Sequence, residues 1–409
     1  MNTHRIGLLA ATLSLAIAGC AHQAPRGPAP DLLVLDTHVD IPLDYMREPR
    51  YDAGTDTRLQ VDLGKMERGG LDAAFFVVYV GQGPLTPEGY ADAVAQADRK
   101  FSAIHLLVDK YPDRIRLATT PAQVRANHAD GVLSAMIGIE NAYSLGHELS
   151  RLDAAYERGA RYVGLVHVGN NDLCSSANPD AKLGEPPLNS PGDPGISEFG
   201  RSVVARANAL GMMVDISHAS DNCVRDALAL SRAPIIASHS SARAVVDVPR
   251  NLPDDLLRAI AGKGGVVQAV AYYQFVKDDP ARLAAEKALA NRLAKALGIE
   301  HFDSDEHGDL PAYVEGMAAI EREHPLATVA DYVDHIAHIA QVAGIDHVGI
   351  AADFDGGGGV TGWQDASETP NVTAELRRRG FTEEDIGKIW GGNLLRVWQD
   401  VIDAADATP

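Results

Sequence analysis

The sequence predicts an α/β fold of the TIM-type (β/α)8 barrel class on three observations. Eight short β-type apolar runs alternate with longer helix-type segments, the pattern of parallel strands joined by helical crossovers. Polar residues of ligand or catalytic type follow these runs at their C-terminal ends, the face on which such barrels build their sites. The rival architecture, a doubly wound dinucleotide-binding sheet, lacks its Gly-x-Gly-x-x-Gly after the first run.

The runs cover residues 32–35, 71–80, 132–139, 162–168, 212–216, 234–237, 265–273 and 347–351. The second, with Phe75-Phe76-Val77-Val78-Tyr79-Val80, shows the β-branched and aromatic content that suits a pleated, buried surface. Helical periodicity is read over 87–111, 198–210 and 223–230. Residues 178–197, with five prolines and three glycines, form a long loop where a barrel's active face is bordered. Residues 275–344 separate the last two runs. Their Ala- and Leu-rich stretch 280–297 and the stretch 329–343 predict a helical insertion between strands 7 and 8 rather than a second domain. Residues 373–404 read as helices closing the outside of the barrel.

Ahead of this single domain, residues 31–404, lies an export signal over residues 1–19: Arg5, an apolar stretch 6–17, then small residues. It is too short and too poorly flanked to span a bilayer. Ile17-Ala18-Gly19-Cys20 resembles the bacterial lipobox, which implies cleavage before Cys20 and its lipidation; the alternative is an ordinary secretory signal with a fortuitous cysteine. Residues 20–30 then form a proline-rich tether. The expected location is the periplasmic side of a bacterial membrane, with Ala21 pointing to the outer one. Cys174 and Cys223 remain, to be joined in a disulfide or buried as separate thiols.

With 56 acidic and 36 basic residues the formal net charge is −20, and no basic run occurs. Nucleic acid is thereby excluded as a partner, and so is electrostatic attachment to anionic lipid, which leaves the lipid anchor as the expected membrane contact.

His38 and Asp40 end the first run two residues apart, so a strand points both to one side. An imidazole and a carboxylate so placed suit a divalent transition metal. Glu140, His167, His218, His239 and Asp353 follow later runs; any one of them alone is equally a solvated or structural residue, but together they share one face. Two metal ions need a bridging anion and two sets of terminal ligands. Glu140 can bridge, with His38 and Asp40 on one ion and His218 and His239 on the other.

These residues sit in motifs that resemble the membrane (renal) dipeptidase family, zinc-dependent barrel peptidases of the amidohydrolase group. The blocks are His38-Val39-Asp40, Gly138-Ile139-Glu140-Asn141, Val214-Asp215-Ile216-Ser217-His218, Ser238-His239-Ser240-Ser241-Ala242, Arg250-Asn251-Leu252-Pro253, Ala352-Asp353-Phe354-Asp355-Gly356 and Gly391-Gly392-Asn393-Leu394-Leu395-Arg396. The resemblance implies two Zn2+ ions on the ligands above and hydrolysis of dipeptides by a metal-bridged hydroxide, with tolerance of a D-residue at the C-terminal position. It further implies that Glu140, His167 and Asp353 are catalytic, His167 at the developing oxyanion and Asp353 in proton transfer, and that Arg250 binds the substrate carboxylate. Arg250 read alone could instead cap the next helix or pair with Asp254. A tyrosine near the carboxylate is either Tyr272 or Tyr273, and Asp355 receives no role. Two rival readings are another binuclear amidohydrolase acting on a non-peptide amide, lactone or ester, and a non-catalytic metal-binding lipoprotein. The oligomeric state, monomer or homodimer, is left open.

Overall fold

The computed structural model describes residues 32–302 and 307–406. The export signal, Cys20 and the tether lie outside the described residues. Among those described, no helix is long and apolar enough to cross a membrane.

Among the described residues nine parallel strands form: β1 Leu35–Val39, β2 Ala73–Tyr79, β3 Ile115–Leu117, β4 Leu133–Glu140, β5 Ala160–Gly164, β6 Met213–Asp215, β7 Ile235–Ala237, β8 Val266–Val270 and β9 Val348–Ala351. Eight run side by side in the order β1-β2-β4-β5-β6-β7-β8-β9. The seam between β9 and β1 is closed just past both strands: Val39 bridges Phe354, the Asp40 N–H donates to the Phe354 carbonyl at 2.9 Å, and the Thr37 hydroxyl donates to the Ile350 carbonyl at 3.0 Å. The eight apolar runs thus become the ring of a TIM-type barrel. β3 is the strand the pattern did not reveal. Only three residues long, Ile-Arg-Leu, it pairs with Leu133–Ala135 while β5 takes Ile137–Ile139 of the same strand.

Helices cover the outside where periodicity placed them, and their ends carry the expected chemistry. The helix Pro87–Lys110 starts at a proline with the Thr86 side chain accepting from the Gly89 N–H; Ser197 caps Glu198–Leu210 in the same way, and that helix ends on a left-handed Gly211. Side chains alternate along the strands. Ala74, Phe76 and Val78 pack outward under the helices, whereas Ala73, Phe75 and Val77 fill the barrel interior with Met136, Tyr162 and Ile236. The C-terminal helix Asn393–Asp406 joins this inner cluster, its Trp398 ring 5.8 Å from Phe75. It therefore plugs the end opposite the site, a correction to the expectation that the terminal helices would only close the outside.

Within residues 275–344, the helix Val329–Ala343 packs on the barrel, its Tyr332 hydroxyl donating to the Ala269 carbonyl at 2.8 Å. The inserted part is the pair Pro280–Leu297 and Pro311–Glu323, with a small apolar cluster of its own at Leu289, Leu293 and Ile320.

Cys174 and Cys223 form a disulfide across a sequence separation of 49. It ties the loop after β5 to the helix Asp221–Leu230 that follows β6, beside a Ser175–Ser220 hydroxyl pair at 2.7 Å. Loop-closure entropy for that span amounts to about 4 kcal/mol. The paired Cys174→Ser, Cys223→Ser variant should lose a large part of that in urea unfolding; a loss below about 1 kcal/mol would show that native packing, not the cross-link, holds the two loops.

Candidate metal centre

Each site residue sits where a strand meets its loop. His38 is in β1, Asp40 just past it, Glu140 ends β4, and His218, His239 and Asp353 follow β6, β7 and β9. His167 lies three residues beyond β5, because that strand stops at Gly164 rather than running to 168.

The Glu140 carboxylate is the centre. Its Oε2 is 3.3 Å from His38 Nε2; its Oε1 is 3.0 Å from His218 Nε2, 3.5 Å from His239 Nε2 and 3.8 Å from His167 Nε2. Asp40 Oδ2 lies 3.5 Å and Asp353 Oδ1 3.8 Å from His38 Nε2. Three groups of donors fall within 4.8 Å of one another: His38, Asp40 and Glu140; Glu140, His218 and His239; and His38, His239 and Asp353. The two oxygens of one carboxylate thus face two separate donor sets.

These donors fit divalent metal. The His218 and His239 Nε2 atoms are only 2.7 Å apart, and His38 Nε2 is buried with no hydrogen-bond partner among the described residues. Burial first, then the charge of Arg250 on His218 and of His38 on His239, holds these two imidazoles well below the usual histidine range, and therefore neutral. For His38 burial acts in the same sense, but the Glu140 and Asp40 carboxylates outweigh it and raise the group well above that range. Burial opposes ionisation of Glu140, yet the charge of His38 and the hydrogen bonds of His218 and His38 hold it well below the usual carboxylate range. Neutral imidazoles around an ionised carboxylate, with a position that demands positive charge, are the donor set of a metal centre.

A second layer orients the ligands. The Tyr162 hydroxyl donates to the Thr37 carbonyl at 3.3 Å and so accepts from His38 Nδ1 at 3.1 Å, leaving Nε2 bare toward Glu140. Gly138 admits that phenol, since a Cβ there would fall 2.0 Å from the Tyr162 ring. The Ser238 hydroxyl donates to Asp215 Oδ2 at 2.7 Å and accepts from His239 Nδ1 at 2.8 Å. His218 and Asp353 hold positive φ angles of 68° and 60°, conformations that persist in non-glycine residues where the surroundings over-determine them. Here the Ala177 N–H donates to the His218 carbonyl at 2.7 Å and the Asp353 N–H to that of His38 at 3.2 Å.

Arg250 is buried beside this cluster, donating to the His239 carbonyl at 3.0 Å and the Ser240 hydroxyl at 3.3 Å. Its Nε has no partner among the described residues. It does not pair with Asp254, which faces His338 at 2.7 Å and Arg258 at 3.5 Å. Burial brings its pKa down to about 10, against the attraction of Asp353. Burial, with repulsion from Asp40 and Glu140 and against the pull of His38, pushes Asp353 up to about 7.

The model for membrane dipeptidases, peptidase family M19, matches residues 29–409. The chain belongs to this family. A dipeptidase from Claviceps purpurea is 31% identical over 368 residues, covering 88% of this chain and 74% of the relative. A probable dipeptidase from Pseudomonas aeruginosa is similar in structure, with a TM-score of 0.79, 34% identity and coverage of 91% of this chain and 96% of the other. A family M19 dipeptidase structure covers 90% of this chain and 98% of its own, with a TM-score of 0.70 and 25% identity. As a family M19 dipeptidase the chain is a metallopeptidase, a hydrolase on an amidohydrolase-type barrel.

Of the tyrosines left open, Tyr273 turns into the insertion, donating to the Glu286 carboxylate. Tyr272 faces the site loop, where a Cβ at Gly357 would lie 2.8 Å from its ring. Asp355 proves structural: its carboxylate accepts the Gln60 and Val61 N–H groups at 2.8 and 3.3 Å. Sequence reasoning missed the Tyr162, Ser238 and Asp215 supports, although Asp215 and Ser238 stand inside the motifs that carry the ligands.

A Cβ at Gly356 would lie 2.2 Å from Asp40 Oδ2 and 2.9 Å from Asp353 Oδ1. Gly356→Ala should therefore weaken divalent-metal binding about 10–100-fold in a competition titration, the scale of loss when a ligand is misplaced, with little change in the thermal melt of the metal-free protein. Unaltered metal affinity would mean that these carboxylates are not held by that glycine.

Proposed function

We propose that this dipeptidase binds two zinc ions and hydrolyses the single peptide bond of dipeptides at the Glu140 cluster. The observation that carries the reading is the division of one carboxylate between two donor sets, His38 with Asp40 at one oxygen and His218 with His239 at the other. Bound there, paired divalent ions supply Lewis-acid polarisation of the carbonyl and a water of lowered pKa.

The chain's own groups do the rest. Arg250 presents a planar fork to the substrate's terminal carboxylate; its burial and unpartnered Nε support that role. His167, neutral because burial lowers its pKa, donates an N–H to the oxygen on which charge develops. Asp353 takes the proton of the attacking water and passes it to the leaving amine, a task suited to a carboxyl poised near 7. Because the C-terminal residue is gripped by its carboxylate rather than its side chain, a D-residue is accepted there.

Export and anchoring at Cys20 belong to the same reading. A disulfide suits an oxidising compartment such as the periplasm. Cys20→Ser should move the protein from the membrane fraction to the soluble periplasm; retention in the membrane would sink the anchor.

Metal analysis and turnover on one preparation test the activity. Two zinc ions per chain are expected, with hydrolysis of L-Xaa-L-Xaa and L-Xaa-D-Xaa abolished by Glu140→Gln. Arg250→Ala should lower kcat/KM for dipeptides about 10–100-fold, the loss of a charge-assisted pair. Two metals without dipeptide turnover would move the assignment to another amide, lactone or ester.

A further inference from the structure

The ligand set does not use every interior side chain at the mouth of the barrel. Tyr79 ends β2 and is the register partner of Glu140. Counting by two from Phe75 and Val77 puts it on the interior face, where it packs against the inner cluster. Its ring centroid is 4.6 Å from that of His167, and its hydroxyl is 3.5 Å from His167 Nδ1. Behind it stands Lys100, a buried lysine of the helix Pro87–Lys110, whose ammonium lies 5.3 Å over the Tyr79 ring. Among the described residues that ammonium makes no hydrogen bond or ion pair. Burial lowers its pKa, and longer-range attraction from Asp40 and Glu140 opposes that only in part; the π face beneath it adds a further attraction to the charged form.

We propose that Tyr79 is the positioning residue of His167: its hydroxyl donates to Nδ1, which keeps the imidazole proton on Nε2 and aims that N–H into the site, while Lys100 holds the phenol from behind.

Hydrogen-bond accounting favours this direction. If Nδ1 carried the proton and the phenol accepted, the phenol hydrogen would have no protein acceptor and would be left to solvent, since the half-buried Tyr79 hydroxyl has no other partner among the described residues. Tyr162 shows the opposite arrangement at His38. There the phenol hydrogen is taken by the Thr37 carbonyl, so the oxygen accepts from Nδ1 and Nε2 is bare to act as a ligand. Two tyrosines therefore sort two histidines into two tautomers, one for a metal and one for a donor. The His167 Nε2 is 3.8 Å from Glu140 Oε1, at the edge of the cluster rather than within a donor set. A separation of 3.5 Å is long for the Tyr79 bond, and such bonds tighten when substrate is bound.

The inference rests on the proposed donor role of His167, and its test separates the two. In the zinc-loaded full chain, 15N shifts of the His167 imidazole, assigned by their loss in His167→Gln, should report a single Nε2–H tautomer. Tyr79→Phe should give a tautomer mixture, a kcat about 10–100-fold lower, a KM within about twofold and an unchanged zinc content. Lys100→Met should lower kcat in the same direction, and Lys100→Arg should restore it. An Nδ1–H tautomer in the wild type, an unaltered kcat in Tyr79→Phe, or a loss confined to KM or to zinc content would overturn the proposal. If the wild type cleaves no dipeptide, the substrate reading fails, and the imidazole shifts still decide the tautomer.

Discussion

The constraint on which this structure depends is the burial of the Glu140 carboxylate. An ionised group withdrawn from water costs several kcal/mol unless opposite charge and donors surround it. Here the surroundings are imidazoles brought from four strand ends, and no one of them is near Glu140 in sequence. The barrel must therefore close, in register, for that carboxylate to be tolerated. Closure is itself local chemistry: the Asp36 carboxylate, next to Thr37, accepts the Ala352 N–H and the His38 N–H, so the seam and the first ligand are fixed by the same group.

Around this centre the protein opposes strain with packing. His218 and Asp353 occupy left-handed backbone conformations that aim their side chains inward. His218 accepts a main-chain hydrogen bond from Ala177 in the loop after β5, Asp353 donates one to His38 of β1, and the loop that restrains His218 is cross-linked through Cys174 to the helix just beyond it. Below the site the demands are simpler: the Phe75 ring packs on those of Tyr162 and Trp398 and fills the interior with apolar volume, with the Tyr162 hydroxyl reaching up to His38. Stability and chemistry are thus separated along the barrel axis.

The insertion meets the site at one side only. Arg250 lies 5.2 Å over the Phe275 ring, and Tyr272 packs on the same ring at 4.5 Å. The next residue, Tyr273, is engaged with Glu286 and Arg282 of the insertion's first helix. The base of the inserted pair therefore adjoins the arginine proposed to hold the substrate carboxylate, while His167, Tyr79 and Lys100 stand beside the donor end. In the proposed mechanism, substrate recognition and charge stabilisation draw on different strand ends of one barrel face, which is how a barrel can vary one without disturbing the other.

Much of this was legible in the chain. Apolar runs that end at or just before His38, Glu140, His218, His239 and Asp353 express a local rule, that a strand buries an apolar length and hands over at its C-terminal end to the loops of the site face, and local rules survive in sequence. Helix limits at Pro87, Ser197 and Thr328 were legible for the same reason, because caps act within one turn. What only the tertiary structure decided is every relation between distant residues. The short β3 exists because β4 offers it an edge; Arg250 turns to His239 and Ser240 rather than to Asp254; Tyr272 and Tyr273, adjacent in sequence, part to different neighbours; Cys174 meets Cys223. Through-space hydrogen bonds and packing carry no periodicity along the chain, so their partners become readable only once the barrel has closed.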